Sequence, residues 1–243
     1  IRGERLEVAL HVIAADHIEN DIDAATIGEF LGLCDEILFV VVDRQIGTSN
    51  WGHPGSYKPP FFKNSEVMSD EKERYLTDKL TDETVRFIES YDREQPFMVS
   101  LWYYSVHKPH IGRDDLVKQF EAKGLKGADA QYAAMIKAVD NSIGRVRQSL
   151  KTKGIDQNTV IIFTSDQGSW FENPPYRGSK RVDTLCEGGA RVPFIVNWPG
   201  VTPAGAKNNS VVQTTDIFPT LVELAGGDPN KHPNLDGISL VPL

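Results

Sequence analysis

The apolar run at residues 160–163, which leads into Ser165-Asp166-Gln167-Gly168, constrains the fold more than any other stretch. The run has no polar residue, so it predicts a strand buried on both faces, as in a parallel sheet covered by helices. Ligands of such sheets bind beyond the carboxyl ends of the strands. Asp166 and Gln167 stand at such an end and offer hard oxygen ligands suited to Ca²⁺ or Mg²⁺. A simple turn closing a strand–helix unit explains this stretch equally well when it is taken alone.

Alternating strand and helix patterns continue along the chain. Strands are predicted at residues 37–42, 97–104, 160–164 and 192–198, and helices at residues 24–33, 75–91, 130–153 and 216–225. Gly154 is placed to end the longest helix, and Pro219 lies in the first turn of the last one. Residues 1–23 carry no strong signal. The pattern predicts an α/β fold with a mainly parallel sheet flanked by helices.

Composition excludes several classes of protein. The chain has 243 residues, of which 40% are hydrophobic and 25% are charged, which is typical of a globular protein. A formal net charge of -8 argues against non-specific binding to nucleic acid. No apolar run approaches the roughly 20 residues that span a bilayer. The two cysteines, Cys34 and Cys186, are too few for a disulfide framework.

Three predicted strands end in side chains that are capable of chemistry. Asp43 follows the first, His107 follows the second, and Asp166 with Gln167 follows the third, while Lys180 lies in the next loop. Oxygen ligands around a divalent cation, with His and Lys nearby, suit an anionic ester. Taken singly, His107 is more simply a hydrogen-bonded histidine and Lys180 a solvated basic residue. Their order along the chain favours one shared site.

Short sequence blocks carry a resemblance that runs from about Trp51 to the end of the chain. The main blocks are Trp51-Gly52-His53-Pro54-Gly55-Ser56-Tyr57, Tyr75-Leu76-Thr77-Asp78, Ser105-Val106-His107-Lys108-Pro109-His110, Thr164-Ser165-Asp166, Arg177-Gly178-Ser179-Lys180, Glu187-Gly188-Gly189-Ala190-Arg191 and Thr215-Asp216-Ile217-Phe218-Pro219-Thr220. In this order they resemble the formylglycine-dependent sulfatases, which are members of the alkaline-phosphatase-like superfamily.

The resemblance implies a fold, an activity and roles for individual residues. It implies hydrolysis of sulfate esters of a carbohydrate or an aryl alcohol, on an alkaline-phosphatase-like α/β fold. Asp166 and Gln167, with Asp43, would bind Ca²⁺ in preference to Mg²⁺, although Gln167 stands where Asn is usual. His107 and Lys180 would contact the sulfate as catalytic residues. The expected partner is a small-molecule or oligosaccharide sulfate ester, without nucleic acid or a membrane span, in an extracytoplasmic location.

The chain also departs from the family pattern. The Cys-x-Pro/Ala-Ser-Arg segment that matures to formylglycine is not found, because Cys34 precedes Asp35-Glu36 and Cys186 precedes Glu187-Gly188. Residues 37–44 are interpreted as the family's first strand, so that Asp43-Arg44 replaces its Asp-Asp metal pair. The nucleophile segment is then missing before Trp51, unless residues 1–45 are unrelated to the family.

Two regions are therefore expected. Residues 1–45 form a poorly matched N-terminal segment with a possible first strand at 37–42, and residues 46–243 form an incomplete sulfatase-like catalytic domain. Two other functions stay open. One is hydrolysis of phosphate esters or phosphonates by an enzyme of the same superfamily, and the other is a non-catalytic relic that binds anions.

Overall fold

A computed structural model describes residues 8–14, 38–41, 46–47, 57, 61–63, 66–68, 74–93, 96–181 and 186–243. In chain order its elements are β1 (Val8–Ala14), β2 (Leu38–Val41), β3 (Ile46–Gly47), β4 (Phe61–Lys63), β5 (Glu66–Met68), α1 (Leu76–Ser90), β6 (Phe97–Tyr103), α2 (Asp114–Glu121), α3 (Gly127–Lys153), β7 (Thr159–Ser165), α4 (Glu187–Ala190), β8 (Phe194–Asn197) and α5 (Ile217–Leu224). The helix predicted at residues 24–33 lies outside the described residues.

The main sheet has five strands in the order β2-β6-β1-β7-β8. The first four are parallel, and β8 pairs with β7 in the antiparallel direction. This confirms the prediction of an α/β fold with a mainly parallel sheet. Strands β3, β4 and β5 form a separate antiparallel sheet.

The central strand of the main sheet, β1, was not predicted. It lies between β6 and β7, with Ala14 opposite both Tyr103 and Ser165. The strands predicted at residues 97–104 and 160–164 are therefore separated by one strand in the sheet. Alanine at positions 9 and 14 and histidine at position 11 interrupt the β-branched pattern of this segment, which explains why it gave little signal.

One face of the sheet packs against α1 and α3. All seven residues of β6 are buried, including Ser100, as expected for a strand covered by helices on both faces. Residues Phe97, Val99 and Leu101 belong to the same core as Leu80 and Ile88 of α1. Helix α3 ends at Gly154, which adopts a left-handed conformation with φ of 78° and donates its N–H to carbonyls of the last turn. The predicted end of this helix is thus confirmed, and glycine suits it because a side chain would strain this backbone.

The opposite face of the sheet packs against α5. Val160 and Ile162 of β7 contact a second core that includes Ile217, Leu221 and Val222. On the α3 side of the same strand, Ile161, Phe163 and Ser165 are only partly buried. This side of the strand is therefore less buried than the sequence predicted, because a cavity lies there.

The apolar stripe predicted on α3 divides between this core and the cavity. Val139, Val146 and Leu150 are buried, whereas the side chain of Ile136 is 50% exposed. Tyr132, Ile136, Val139 and Ile143 all line the cavity. No helix within the described residues is long and apolar enough to cross a membrane.

Candidate active site

The cavity lies at the carboxyl end of the parallel strands and extends beneath α3. It has a volume of about 770 Å³, and its lining includes His107, Lys108, Gln167 and Lys180. Two stretches between elements supply these residues: His107 and Lys108 lie after β6, and Gln167 and Lys180 lie between β7 and α4. The structure therefore brings the predicted residues His107, Gln167 and Lys180 to one cavity, where an anion would meet a cluster of cationic and polar groups.

His107 ends a tight turn that follows β6. Its backbone N–H donates to the carbonyl of Tyr104 at 2.8 Å. Its Nδ1 atom lies within hydrogen-bond distance of the Lys108 carbonyl. Since a carbonyl oxygen can only accept, Nδ1 is the nitrogen that carries the proton. The orientation of the imidazole is thus set by the backbone of its own loop.

Two lysines share the indole ring of Trp170. The Nζ atom of Lys108 lies 3.3 Å from the ring centroid, and that of Lys180 lies 5.7 Å from it. Both ammonium groups are attracted to the negative face of the ring, which offsets part of their mutual repulsion. Lys108 and Trp170 were not assigned a role by the sequence analysis, and only their place beside Lys180 identifies them.

Burial changes the acid–base behaviour of Lys180. Desolvation lowers the pKa of its ammonium group to about 8. A bound dianion would restore the favourable environment that water no longer supplies, because opposite charges stabilise the protonated form. The side chain is therefore suited both to bind an anion and to give up a proton near neutral pH.

The loop that carries Lys180 is fixed by close contacts between glycines. The N–H of Gly188 donates to the Arg177 carbonyl at 3.0 Å, and the N–H of Lys180 donates to the Ser169 carbonyl at 2.9 Å. A Cβ atom on Gly188 would lie only 2.1 Å from the carbonyl oxygen of Gly178. Residues 187–189 begin the short helix α4, which packs against this loop.

Asp166 and Gln167 follow β7 directly. Gln167 Nε2 lies 3.4 Å from Asp166 Oδ2, and Ser165 Oγ lies 3.4 Å from Asp166 Oδ1. A carboxylate and an amide at a strand end are donors of the type that Ca²⁺ takes. No cluster of three His, Cys, Asp or Glu side chains suited to a metal occurs within the described ranges. Of the three ligands predicted for a metal, the structure describes two, Asp166 and Gln167.

The predicted third ligand, Asp43, lies outside the described residues. The strand before it, β2, is three positions from β7, so the ends of these strands are about 14 Å apart at the usual spacing. The strand next to β7 is β1, and Ala14 at its end pairs with Ser165. Asp16 follows Ala14 by two residues in the sequence and is a candidate that the sequence analysis missed. The signal that could have identified it is the short apolar run at residues 12–15, after which Asp16 follows directly.

His110 completes the polar part of the cavity. Its ring contacts Tyr132 and Phe171, with ring centroids 5.4 Å away in each case. Its Nε2 atom is buried and has no hydrogen-bond partner among the described residues. Burial, together with the charges of Lys108 and His107, lowers the pKa of the His110 imidazole. His110 is therefore a neutral imidazole close to the charged side chain of Lys108.

Comparison with known proteins identifies the family. The sulfatase family profile matches residues 39–227, a range that includes His107, Asp166, Gln167 and Lys180. The chain belongs to the sulfatase family. The match begins inside β2, before the block at Trp51 where the resemblance was first noted.

Individual sulfatases are also similar to this chain in sequence. A sulfatase of Formosa agariphila is 34% identical over 195 residues, which cover 73% of this chain and 35% of that protein. The N-acetylgalactosamine-6-sulfatase of Mus musculus is 30% identical over 189 residues, covering 75% of this chain and 35% of that protein. The chain thus spans about a third of the length of these sulfatases.

A solved structure shares the fold. The crystal structure of Ps i-CgsB in complex with k-i-k-neocarrahexaose superimposes with a TM-score of 0.69 and 24% identity, covering 98% of this chain and 54% of that one. This similarity extends to nearly the whole chain, so β1 belongs to the same fold as the matched sulfatase region. The predicted alkaline-phosphatase-like α/β fold is thereby confirmed.

Proposed function

We propose that this chain is the anion-binding part of a sulfatase that hydrolyses sulfate esters of a carbohydrate or an aryl alcohol. The observation that carries the proposal is the convergence of His107, Lys108 and Lys180 on the cavity that Gln167 also lines. The two ammonium groups and the imidazole N–H suit the oxygens of a sulfate group, and the family match makes sulfate the expected anion. The name of the mouse relative, an N-acetylgalactosamine-6-sulfatase, supports a sugar sulfate as the substrate.

The cationic groups would act on the sulfate oxygens and on the leaving alcohol. Hydrolysis adds water across the sulfur–oxygen bond, so the alcohol keeps its oxygen and gains a proton, and sulfate leaves as the anion. Lys108 and Lys180 would offset the charge on the sulfate oxygens. Lys180, whose pKa is lowered to about 8, is suited to supply the proton to the leaving oxygen.

A divalent cation, with Ca²⁺ favoured over Mg²⁺, fits the oxygen donors at the end of β7. Asp166 and Gln167 would hold it, and Asp16 or Asp43 would add a further carboxylate. When bound, such a cation acts as a Lewis acid on the ester oxygens. The family's nucleophile is a formylglycine, and no Cys-x-Pro/Ala-Ser-Arg segment that would give rise to one occurs in the 243 residues.

The test is a calorimetric titration of the chain with inorganic sulfate and phosphate, and then with an aryl sulfate, a sugar sulfate and the matching phosphate esters. We expect sulfate and its esters to bind more tightly than phosphate and its esters. Lys180→Ala and His107→Ala should each weaken binding, because each removes a charge-assisted contact of about 1.5–3 kcal/mol. Lys207→Ala is the control, since Lys207 is exposed and is not part of the cavity lining.

Three other outcomes are informative. Tighter binding of the phosphate compounds would support the phosphate-ester or phosphonate hydrolase. Binding of sulfate by a longer form of the protein that still fails to hydrolyse any ester would support the anion-binding relic. No binding of any of these anions would contradict the proposed site.

An extracytoplasmic location is part of the same proposal and is supported by family resemblance alone. Fractionation of source cells, followed by detection of the protein with an antibody, tests it. Recovery in the cytoplasmic fraction would contradict it.

A further inference from the structure

Two stacked tyrosines hold the loop that carries His107 in place. Tyr57 and Tyr75 are both buried, and their ring centroids lie 5.5 Å apart with an interplanar angle of 19°. Their backbones are joined as well, because the N–H of Leu76 donates to the Tyr57 carbonyl at 2.9 Å. Tyr75 directly precedes α1, and both tyrosines contact residues 104–111, the loop that carries His107.

Tyr57 caps the turn that presents His107. Its hydroxyl lies 2.6 Å from the carbonyl oxygen of Tyr104 and 2.9 Å from that of His107. These are the first and last residues of the turn, which is itself closed by the bond from the His107 N–H to the Tyr104 carbonyl. A single buried hydroxyl, with one proton to donate, thus lies within hydrogen-bond distance of the carbonyls at both ends of the turn.

Two further contacts hold the rest of the loop. The Tyr75 hydroxyl donates to the carbonyl of Ile111 at 2.8 Å. Thr77 Oγ1 and Ser105 Oγ lie 2.8 Å apart and share a hydrogen bond. The loop that contains His107, Lys108 and His110 is therefore anchored at its beginning, at its turn and at its end, by Tyr57 and by two residues at the start of α1.

The chemistry of the two phenols fits this task. A carbonyl oxygen can only accept a hydrogen bond, so each tyrosine must keep its proton. Burial raises the pKa of Tyr57 and of Tyr75 well above the usual value. Both hydroxyls therefore remain donors over the whole pH range in which a sulfate ester is handled. A phenylalanine would fill the same space but would leave the buried carbonyls with one donor fewer.

We infer that Tyr57 and Tyr75 are positioning residues, which hold the His107 loop in an anion-binding conformation before any anion arrives. Neither hydroxyl needs to touch the substrate, because each acts through the backbone of the loop. A preformed loop avoids the cost of ordering it on binding. This inference rests on the proposed role of His107 in binding sulfate.

The test compares Tyr57→Phe and Tyr75→Phe with Tyr103→Phe as the matched control. Tyr103 is also fully buried, and its hydroxyl lies 3.0 Å from Thr81 Oγ1, but it is not part of the loop or of the cavity lining. All three variants lose one buried hydrogen bond, so similar losses of stability are expected. Only Tyr57→Phe and Tyr75→Phe should weaken sulfate binding, by about five- to tenfold, as expected for the loss of one such bond.

A second measurement reads the position of His107 without any anion. The imidazole signals of His107, assigned with a His107→Gln variant, are followed by NMR in each protein. We expect them to shift or broaden in Tyr57→Phe and to stay unchanged in Tyr103→Phe. Unchanged His107 signals in Tyr57→Phe and Tyr75→Phe would overturn the inference, whether or not the protein binds sulfate.

The two proposals can fail separately. If the unmodified chain does not bind sulfate, the proposed function fails, and the NMR comparison alone decides whether the tyrosines position His107. If the chain binds sulfate and all three variants bind it equally well, only the positioning role is wrong. If Tyr57→Phe does not fold, Tyr75→Phe provides the same comparison from the other end of the loop.

Discussion

Gly168 and Gly188 meet backbone to backbone, so closely that a Cβ atom on Gly168 would lie 2.1 Å from the carbonyl oxygen of Gly188. The N–H of Gly168 donates to the carbonyl of the next glycine, Gly189, at 2.8 Å. The end of the strand that carries Asp166 is thereby joined to the short helix that also packs against the Lys180 loop. Two predicted parts of the site, the metal ligands and the sulfate-binding lysine, are therefore held in one rigid arrangement.

Gly188→Ala should damage the site. The new methyl group cannot fit against the Gly178 carbonyl, so either α4 or the Lys180 loop must move. We expect a loss of stability of about 1–3 kcal/mol, as for overpacking, and weaker sulfate binding. Urea unfolding and calorimetry measure the two effects.

Gly144→Ala is the control for this substitution. Gly144 lies within α3, and an added Cβ atom there meets nothing within 4 Å. Alanine is the better helix former, so this change should stabilise the protein by up to about 1 kcal/mol. An unaltered sulfate affinity in Gly188→Ala would show that the glycine contacts do not set the position of Lys180.

Sulfate affinity should fall as the pH rises through about 8, because burial lowers the pKa of Lys180 to that value. Above it the amine is neutral and no longer attracts the anion. The same lowered pKa of Lys180 affects the stability of the folded state in the opposite direction. The unfolded chain keeps its proton up to the ordinary lysine pKa, so this residue makes the folded state relatively more stable as the pH rises between the two values.

The Lys180→Arg variant tests whether Lys180 causes the decline in sulfate affinity near pH 8. Arginine stays charged throughout the range, so the decline in affinity near pH 8 should disappear even if the affinity at neutral pH is lower. Calorimetric titrations from pH 6.5 to 9.5, the limits being about 1.5 units on either side of the expected midpoint, test this. The same decline in the arginine variant would assign it to another group.

Calcium should raise the melting temperature of the chain, since a ligand that binds only the folded state stabilises it. At a concentration of about 100 times Kd the gain is about 2.7 kcal/mol. Asp166→Ala should abolish the rise, whereas Asp129→Ala, at an exposed position on α3, should leave it intact. Identical melting curves in calcium and in chelator would count against the metal site.

The same thermal assay compares the candidates for a further ligand. If Asp16 supplies it, Asp16→Ala should reduce the calcium effect more than Asp43→Ala, because β1 and not β2 is the neighbour of β7. A larger effect of Asp43→Ala would restore the interpretation that was made from the sequence.

Asp78→Ala should destabilise the fold by about 1.5–3 kcal/mol, the usual value for hydrogen bonds to a charged group. Asp78 is buried in α1 and accepts from Arg113 Nη1 at 3.1 and 3.0 Å, which joins α1 to the start of α2. Asp115 also binds Arg113, but its side chain is 64% exposed. Asp115→Ala should therefore cost less than about 1 kcal/mol. Equal losses of unfolding free energy for the two variants would contradict this difference.

The 243-residue chain should bind a chromogenic aryl sulfate without efficient turnover. Sulfate-ester hydrolysis requires a nucleophile at sulfur, and neither Cys34 nor Cys186 lies in a Cys-x-Pro/Ala-Ser-Arg segment. Ser165 donates to the Gln167 carbonyl at 2.9 Å, a bond typical of a turn residue and not of an activated nucleophile. Turnover near ~10 s⁻¹, a median enzyme value, in the presence of calcium would show that another nucleophile exists.

The sequence by itself determined the features that depend on neighbours along the chain. The apolar run of β7, the end of α3 at Gly154 and the place of Pro219 in α5 were all predicted, because strand pattern and helix caps are local properties. The identities of His107, Lys180, Asp166 and Gln167 as candidate residues also came from the sequence, through their position after predicted strands.

Only the tertiary structure decided how these pieces meet. It placed β1 between β6 and β7, turned one side of β7 and part of α3 toward a cavity, and brought Lys108 and Lys180 to the ring of Trp170. Strand order, the exposed side of an element and the close approach of glycines all depend on contacts between segments far apart in the chain. Such contacts leave no periodic pattern in either segment, so the sequence around each residue does not reveal its partner.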